Sequence, residues 1–340
     1  MSVASKTMFR SCTSATREKR EKLGQFFTVV PVADFMASLF GNLPPTVRLL
    51  DAGAGAGVLT KAFVARCCKK NDGVRAIETT LYEIDSSILN TLSETMRECE
   101  RLCAQTGIRF SFTIHASDFI QEISERLAGG WFNLPIPVFD AAIVNPPYRK
   151  IGVASKERAA LRSVGVETGN LYSGFVALVQ RLLAPGGQLV AITPRSFCNG
   201  PYFYSFRVDF LKNMELRRLH VFESRRDIFR NDGILQENII FHATRGHAQP
   251  HEVVVSYSQG AHLENTSKAV FDFPKIVHPD DNEVFIHIPS PTSHASAQKT
   301  MSSLDSSLVS LGLAVSTGRI VDFRLQDALR EQPERGTVPL

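Results

Sequence analysis

The stretch Asn145-Pro146-Pro147-Tyr148 puts an amide, two imino acids and a phenol in four consecutive positions. Neither proline has an amide proton to donate and both fix φ, so carbonyls at such a turn stand as rigid acceptors. Asn145 adds a side-chain oxygen. Together these oxygens can hold an amino group at two points and aim its nitrogen lone pair toward a methyl donor, while Tyr148 offers a face for the ring that bears the amine. A lone Asn-Pro-Pro is more often a turn than a site. Here it directly follows the apolar run Asp140-Ala141-Ala142-Ile143-Val144, and open α/β sheets bind ligands at the carboxyl ends of their strands.

Three further strand ends carry polar chemistry. Asp51-Ala52-Gly53-Ala54-Gly55-Ala56-Gly57 lies between a strand-like and a helix-like segment, so backbone can approach a ligand where side chains would block it. Such glycine loops also serve ordinary dinucleotide enzymes. The next strand ends in Tyr82-Glu83-Ile84-Asp85, which places Glu83 where the ribose hydroxyls of a bound nucleoside would lie. A third ends in Ser117-Asp118-Phe119, an acceptor for an exocyclic amine beside an aromatic face, and equally a cap for the following helix.

The elements that must position these residues alternate in type. Strands are predicted over 47–50, 79–84, 109–115, 139–144, 188–193, 216–222 and 238–243. Helices are predicted over 32–40, 58–69, 87–103, 119–127, 171–183 and 207–214. This alternation predicts an α/β fold with a doubly wound, mostly parallel sheet. Residues 1–22 read as a basic, flexible arm, 23–245 as a catalytic domain, and 246–340 as a smaller C-terminal region with strand candidates at 253–257 and 284–288.

Composition narrows the class. With 44% hydrophobic and 21% charged residues, the chain of 340 residues has a globular balance, and no run of 18 apolar residues suggests a membrane span. A cytoplasmic location is expected. The six cysteines have neither zinc-finger nor disulfide-scaffold spacing, so reduced thiols and no metal are expected. Net charge is only +4, yet Arg10, Arg17, Lys19, Arg20 and Lys22, and later Arg217, Arg218, Arg225, Arg226 and Arg230, form clusters that suit a polyanion or a solvated face.

In this order the motifs resemble the class I adenine-N6 DNA methyltransferases of bacterial restriction-modification systems, in the gamma group, over roughly residues 23–245. Gly24-Gln25-Phe26-Phe27-Thr28 followed by Val32-Ala33-Asp34-Phe35-Met36 is similar to that group's first cofactor motif, with Val29 replacing its usual proline. The resemblance implies S-adenosylmethionine as cofactor, with Thr28, Asp51, Gly53 and Gly55 at its methionine end, Glu83 at its ribose, and Asp118 and Phe119 at its adenine. It implies Asn145, Pro146, Pro147 and Tyr148 as the catalytic group. Phe229, in Asp227-Ile228-Phe229-Arg230, is implied on the far face of a flipped adenine. Double-stranded DNA is the implied partner, with a cognate restriction endonuclease or specificity region beside it. By the same resemblance, residues 246–340 hold a linker and the beginning of a target-recognition region. Two alternatives stand beside this: methylation of a protein glutamine or of RNA, and a DNA-binding fragment that is catalytically incomplete without a partner.

Overall fold

The computed structural model describes residues 28–70, 73–129, 135–222, 237–258 and 266–289, with isolated positions at 260, 263, 306 and 310–313. The chain divides into two compact units, Met1–Pro289 and Ser290–Leu340, and every element described below belongs to the first.

Nine strands form one sheet in the order β3-β2-β1-β4-β5-β7-β6-β8-β9. They are β1 (Thr46–Ala52), β2 (Ala76–Tyr82), β3 (Arg109–His115), β4 (Phe139–Val144), β5 (Leu183–Pro194), β6 (Met214–Phe222), β7 (Asn238–Arg245), β8 (Glu252–Ser258) and β9 (Ser267–Asp272). From β3 to β5 all neighbours are parallel, and β7 enters antiparallel between β5 and β6. The predicted mostly parallel, doubly wound sheet is therefore found, with an antiparallel insertion at β7. Strand order reverses between β1 and β4, so loops leaving these two strands diverge and open a crevice.

Both faces are covered, and the sequence shows why. Successive residues of a strand face opposite sides. Leu49 and Ile143 join the core under α1 (Val30–Ser38), α2 (Val58–Lys70) and α3 (Leu89–Gln105). Leu50 and Val144 join the other, under α4 (Phe119–Leu127), α5 (Lys156–Ser163), α6 (Leu171–Leu182) and α7 (Tyr204–Asn213). Strands buried on both faces must be apolar throughout, which accounts for the near-continuous runs read as strands. Asp140 ties β4 to β1: Arg48 donates its backbone N and Nε to Oδ2 (2.9 Å each) and Nη2 to Oδ1 (2.8 Å).

Several elements depart from the sequence expectation. Helix α5, capped by Ser155 Oγ accepting from Arg158 N (3.3 Å), has few buried positions and gave too weak an apolar period to be predicted. Strand β5 starts five residues earlier than expected because Pro185-Gly186-Gly187 reads as a turn. The expected boundary near 246 falls inside the sheet: β8 pairs parallel with β6, β9 pairs antiparallel with β8, and the compact unit runs to Pro289. Polar residues hid this continuity, yet they satisfy one another, since His220 Nδ1 and Nε2 lie 2.9 Å and 3.1 Å from the hydroxyls of Ser256 and Ser258. The candidate strand at 284–288 is not a strand; Val284 has φ 53° and the segment hangs on Asp281, whose Oδ2 accepts from Phe285 N (2.8 Å).

Candidate active site

A cavity of about 280 Å³ lies at the carboxyl ends of β1 to β4, where the strand order reverses. The glycine loop forms one side. Gly53 and Gly57 have φ of +81°, a region L side chains avoid. Gly53 N and Ala54 N donate to Tyr82 O (2.9 Å each), and Gly55 N donates to Glu83 Oε2 (2.8 Å), so the loop is stapled to the end of β2. A Cβ at Gly57 would stand 2.9 Å from both Leu92 Cδ1 and Met96 Cε, whereas one at Gly53 would meet Phe175 Cε1 at 3.8 Å and Asn145 O at 3.9 Å, within the cavity.

Glu83 lines the cavity, 3% exposed, with Oε1 accepting from Asp85 N (2.7 Å); burial raises its carboxyl above the ordinary value. Asp118 lines it too and also caps α4, its Oδ1 accepting from Ile120 N (2.9 Å) and Gln121 N (3.2 Å). The cap reading of that aspartate is thus observed, in a side chain that also lines the cavity. Phe119 lies beside it against Phe175, with ring centroids 5.0 Å apart. Ser117 is oriented by its bond to Glu122 Oε2 (2.5 Å).

Asp51 sits apart from the residues that line the cavity. It lies fully buried beneath the glycine loop, taking a 2.7 Å bond from Thr60 Oγ1 at Oδ2. Its Oδ1 has no hydrogen-bond partner among the described residues. Burial pushes this carboxyl up to about 7, the Thr60 bonds pull it down, and the charge of Glu83 adds to the rise.

The turn after β4 supplies the reactive corner. Asn145 and Pro147 line the cavity, and Pro146 is buried beneath them. The Tyr148 hydroxyl stands 2.9 Å from Asn145 Oδ1 and 3.2 Å from Ile192 O and can donate to either. Asn145 Nδ2 donates to Thr28 Oγ1 (3.0 Å), so a threonine expected at the cofactor also sets the amide's orientation. Burial, with Tyr172 nearby, holds the Tyr148 phenol well above its ordinary value, which makes it a donor and not a base. Phe229 lies outside the described residues.

Other lining residues were not singled out from sequence. Arg149, Lys156 and Glu157 form an outer wall, with Arg149 Nη2 3.0 Å from Glu157 Oε1. Leu171 and Phe175 reach in from α6. The last two are one helical turn apart in an apolar segment and read as core; Lys156 and Glu157 stand at the start of the unpredicted α5.

This sheet order, with its cavity at the β1/β4 reversal, is the fold of the class I S-adenosylmethionine-dependent methyltransferases. A protein of Listeria monocytogenes assigned to that class superposes with a TM-score of 0.52 at 16% identity over 73% of this chain and 72% of that one. The type IIG restriction endonuclease BpuSI does so with a TM-score of 0.55 at 15% identity, over 76% of this chain and 32% of that one. Residues 84–229 match the family model of the Eco57I restriction-modification methylase. The chain is homologous to the type II methyltransferases M.PstI of Providencia stuartii, 41% identical over 94% of this chain, and M.BsuBI of Bacillus subtilis, 41% identical over 95%. It spans 62% and 63% of their respective lengths.

The fold implies S-adenosylmethionine, and the residues fit it. A cradle that a Cβ at Gly53 would enter, a carboxylate at the end of β2, and an aspartate beside two phenylalanine rings match the polar and aromatic ends of a nucleoside with an extended chain.

Proposed function

We propose that this chain is a DNA methyltransferase that moves a methyl group from S-adenosylmethionine to the N6 amine of a flipped-out adenine, as the modification part of a restriction-modification system. The observation that carries the reading is the Asn145–Tyr148–Thr28 arrangement at the end of β4, beside a nucleoside-sized cavity. Homology to type II methyltransferases supports it.

The sulfonium of bound cofactor supplies an electrophilic methyl. The chain's own residues do the rest by positioning. Asn145 Oδ1 keeps a second lone pair beyond its bond from Tyr148 and would accept a hydrogen bond from one amine N–H, and a carbonyl of the proline turn from the other. The nitrogen lone pair then points into the cavity for in-line attack. As the N–CH3 bond forms and the S–CH3 bond breaks, one of the amine protons would leave to solvent. The ring of Tyr148 packs on one face of the base and Phe229 on the other. A base must leave the duplex to reach this corner, since its amine is otherwise paired. Double-stranded DNA is thus the proposed substrate, and a cognate endonuclease or specificity region the proposed partner.

The test is transfer from methyl-labelled cofactor to DNA, RNA and protein acceptors, with nucleoside analysis of the product. Labelled N6-methyladenine, lost in Asn145→Ala and Tyr148→Ala, is expected. Label in N4-methylcytosine, RNA or protein, or unchanged transfer by either variant, refutes the reading.

A further inference from the structure

We infer that Tyr202 is a DNA-contacting residue that packs against bases next to the extruded nucleotide; this rests on the reading of DNA as substrate. Tyr202 is 88% exposed, an unusual state for a phenol ring on a well-built loop.

The loop is held firmly. It leaves β5 at Arg195 and ends in a short 3₁₀ turn, Pro201–Phe203, before α7. Arg207, fully buried, donates Nη1 to Phe197 O (3.1 Å) and Gly200 O (2.7 Å), and Nε and Nη2 to Glu283 O (3.1 and 2.8 Å). Its guanidinium also lies 4.8 Å from the Phe285 ring centroid. A Cβ at Gly200 would stand 2.6 Å from Ser196 O, so the chain closes on itself there. A buried guanidinium is costly unless hydrogen-bonded and paired, and these bonds to carbonyls, with Glu283 Oε2 3.9 Å from Nη2, meet that demand. They fix a loop whose apex ring packs on little of the protein.

The loop also adjoins the reactive corner. Phe203 packs on Tyr172 (5.6 Å between centroids), the Tyr172 hydroxyl meets Ser196 Oγ (3.0 Å), and Tyr172 stands edge-on to Tyr148 (6.3 Å). Strands β4 and β5 are parallel neighbours, so the loops after them leave the same edge of the sheet. In the segment after Tyr148, Lys150 and Lys156 are exposed and have no ion-pair partner among the described residues, which suits phosphates on either side of an opened duplex. An aromatic face is what such a duplex lacks once a base has swung out, because the neighbouring bases have lost a stacking partner.

The test uses the full chain with Tyr202→Ala and Tyr202→Phe, and plasmid DNA as ligand and methyl acceptor. Tyr202→Ala is expected to weaken retention of labelled plasmid fragments on nitrocellulose and to lower kcat/KM for DNA by about tenfold, within the range for one ring stacked on one base. Tyr202→Phe should stay within about twofold of wild type, and cofactor binding by calorimetry should be unchanged in both. Wild-type DNA binding and methylation with a matching Tyr202→Ala variant overturns this inference alone. A wild-type chain that neither binds nor methylates plasmid DNA overturns the functional reading as well.

Discussion

Asp51→Asn removes a charge from beneath the glycine loop while keeping the size of the side chain and the bond from Thr60 Oγ1 to its oxygen. Burial raises the folded-state pKa of Asp51 from 3.8 to about 7. A raised folded value means that the native chain holds a proton the unfolded chain has released. The associated stability is present below about pH 4 and is lost as pH rises through about 7. Three pKa units correspond to about 4 kcal/mol, of which about 3 kcal/mol falls between pH 5 and 8. Asn mimics the protonated acid at every pH and has no such slope. Glu122, Asp140 and Glu167 are lowered and slope the other way, but they are common to both proteins and cancel in the difference. Urea unfolding of both proteins without cofactor at pH 5 and 8 should show the variant gaining roughly 3 kcal/mol on wild type over that interval. A difference that does not change with pH, or that shrinks, refutes the assignment of a buried, elevated carboxyl. A cationic cofactor favours the ionised form, so calorimetry in buffers of different ionisation enthalpy should show more proton release on binding at pH 6 in wild type than in the variant, where only Glu83 remains raised beside the cavity.

The glycine loop separates packing from binding. Gly57→Ala meets both a positive φ, about 1–2 kcal/mol, and the side chains of Leu92 and Met96 at 2.9 Å, a crowding worth roughly 1–3 kcal/mol, so its urea midpoint should fall sharply. Gly53→Ala shares the φ but has 3.8 Å of clearance, so it should lose only the about 1–2 kcal/mol of strain; its methyl group enters the cavity, and cofactor binding measured by calorimetry should be abolished. Tyr148→Phe keeps the ring and deletes the hydroxyl near Asn145 Oδ1 and Ile192 O. About 1 kcal/mol of stability should go with that bond, seen as a lower unfolding midpoint. With Asn145 less firmly oriented, kcat in the labelled-methyl assay should drop while KM for DNA is retained.

Local sequence was enough for element type wherever burial was strong. The bounds of β4 coincide with their prediction because double-sided burial demands an apolar run, those of the edge strand β3 because Phe110, Phe112 and Ile114 alternate with polar residues, and those of α4 because an aspartate caps a helix at its start. The glycine loop, Glu83, Asp118 and Asn145 were legible for the same reason: each closes a strand, and strand ends are where a parallel sheet exposes backbone. Tertiary structure decided the rest. Thr28 and Asn145 are 117 residues apart and meet only because α1 packs against α2 and β5, which brings the residues before it to the end of β4. In the outer wall, Lys156 and Glu157 come from a helix too exposed to carry a strong period, and Arg149 from the segment after β4. Strands β8 and β9 extend the sheet past the expected boundary because a histidine and two serines satisfy one another across β6 and β8, a pairing their polar letters conceal. By itself the sequence determined which residues could do chemistry at the ends of which strands, since that depends on conformation over a few residues. Which of them face one cavity, and which, like Asp51, lie under it, was decided by the order in which distant strands pair.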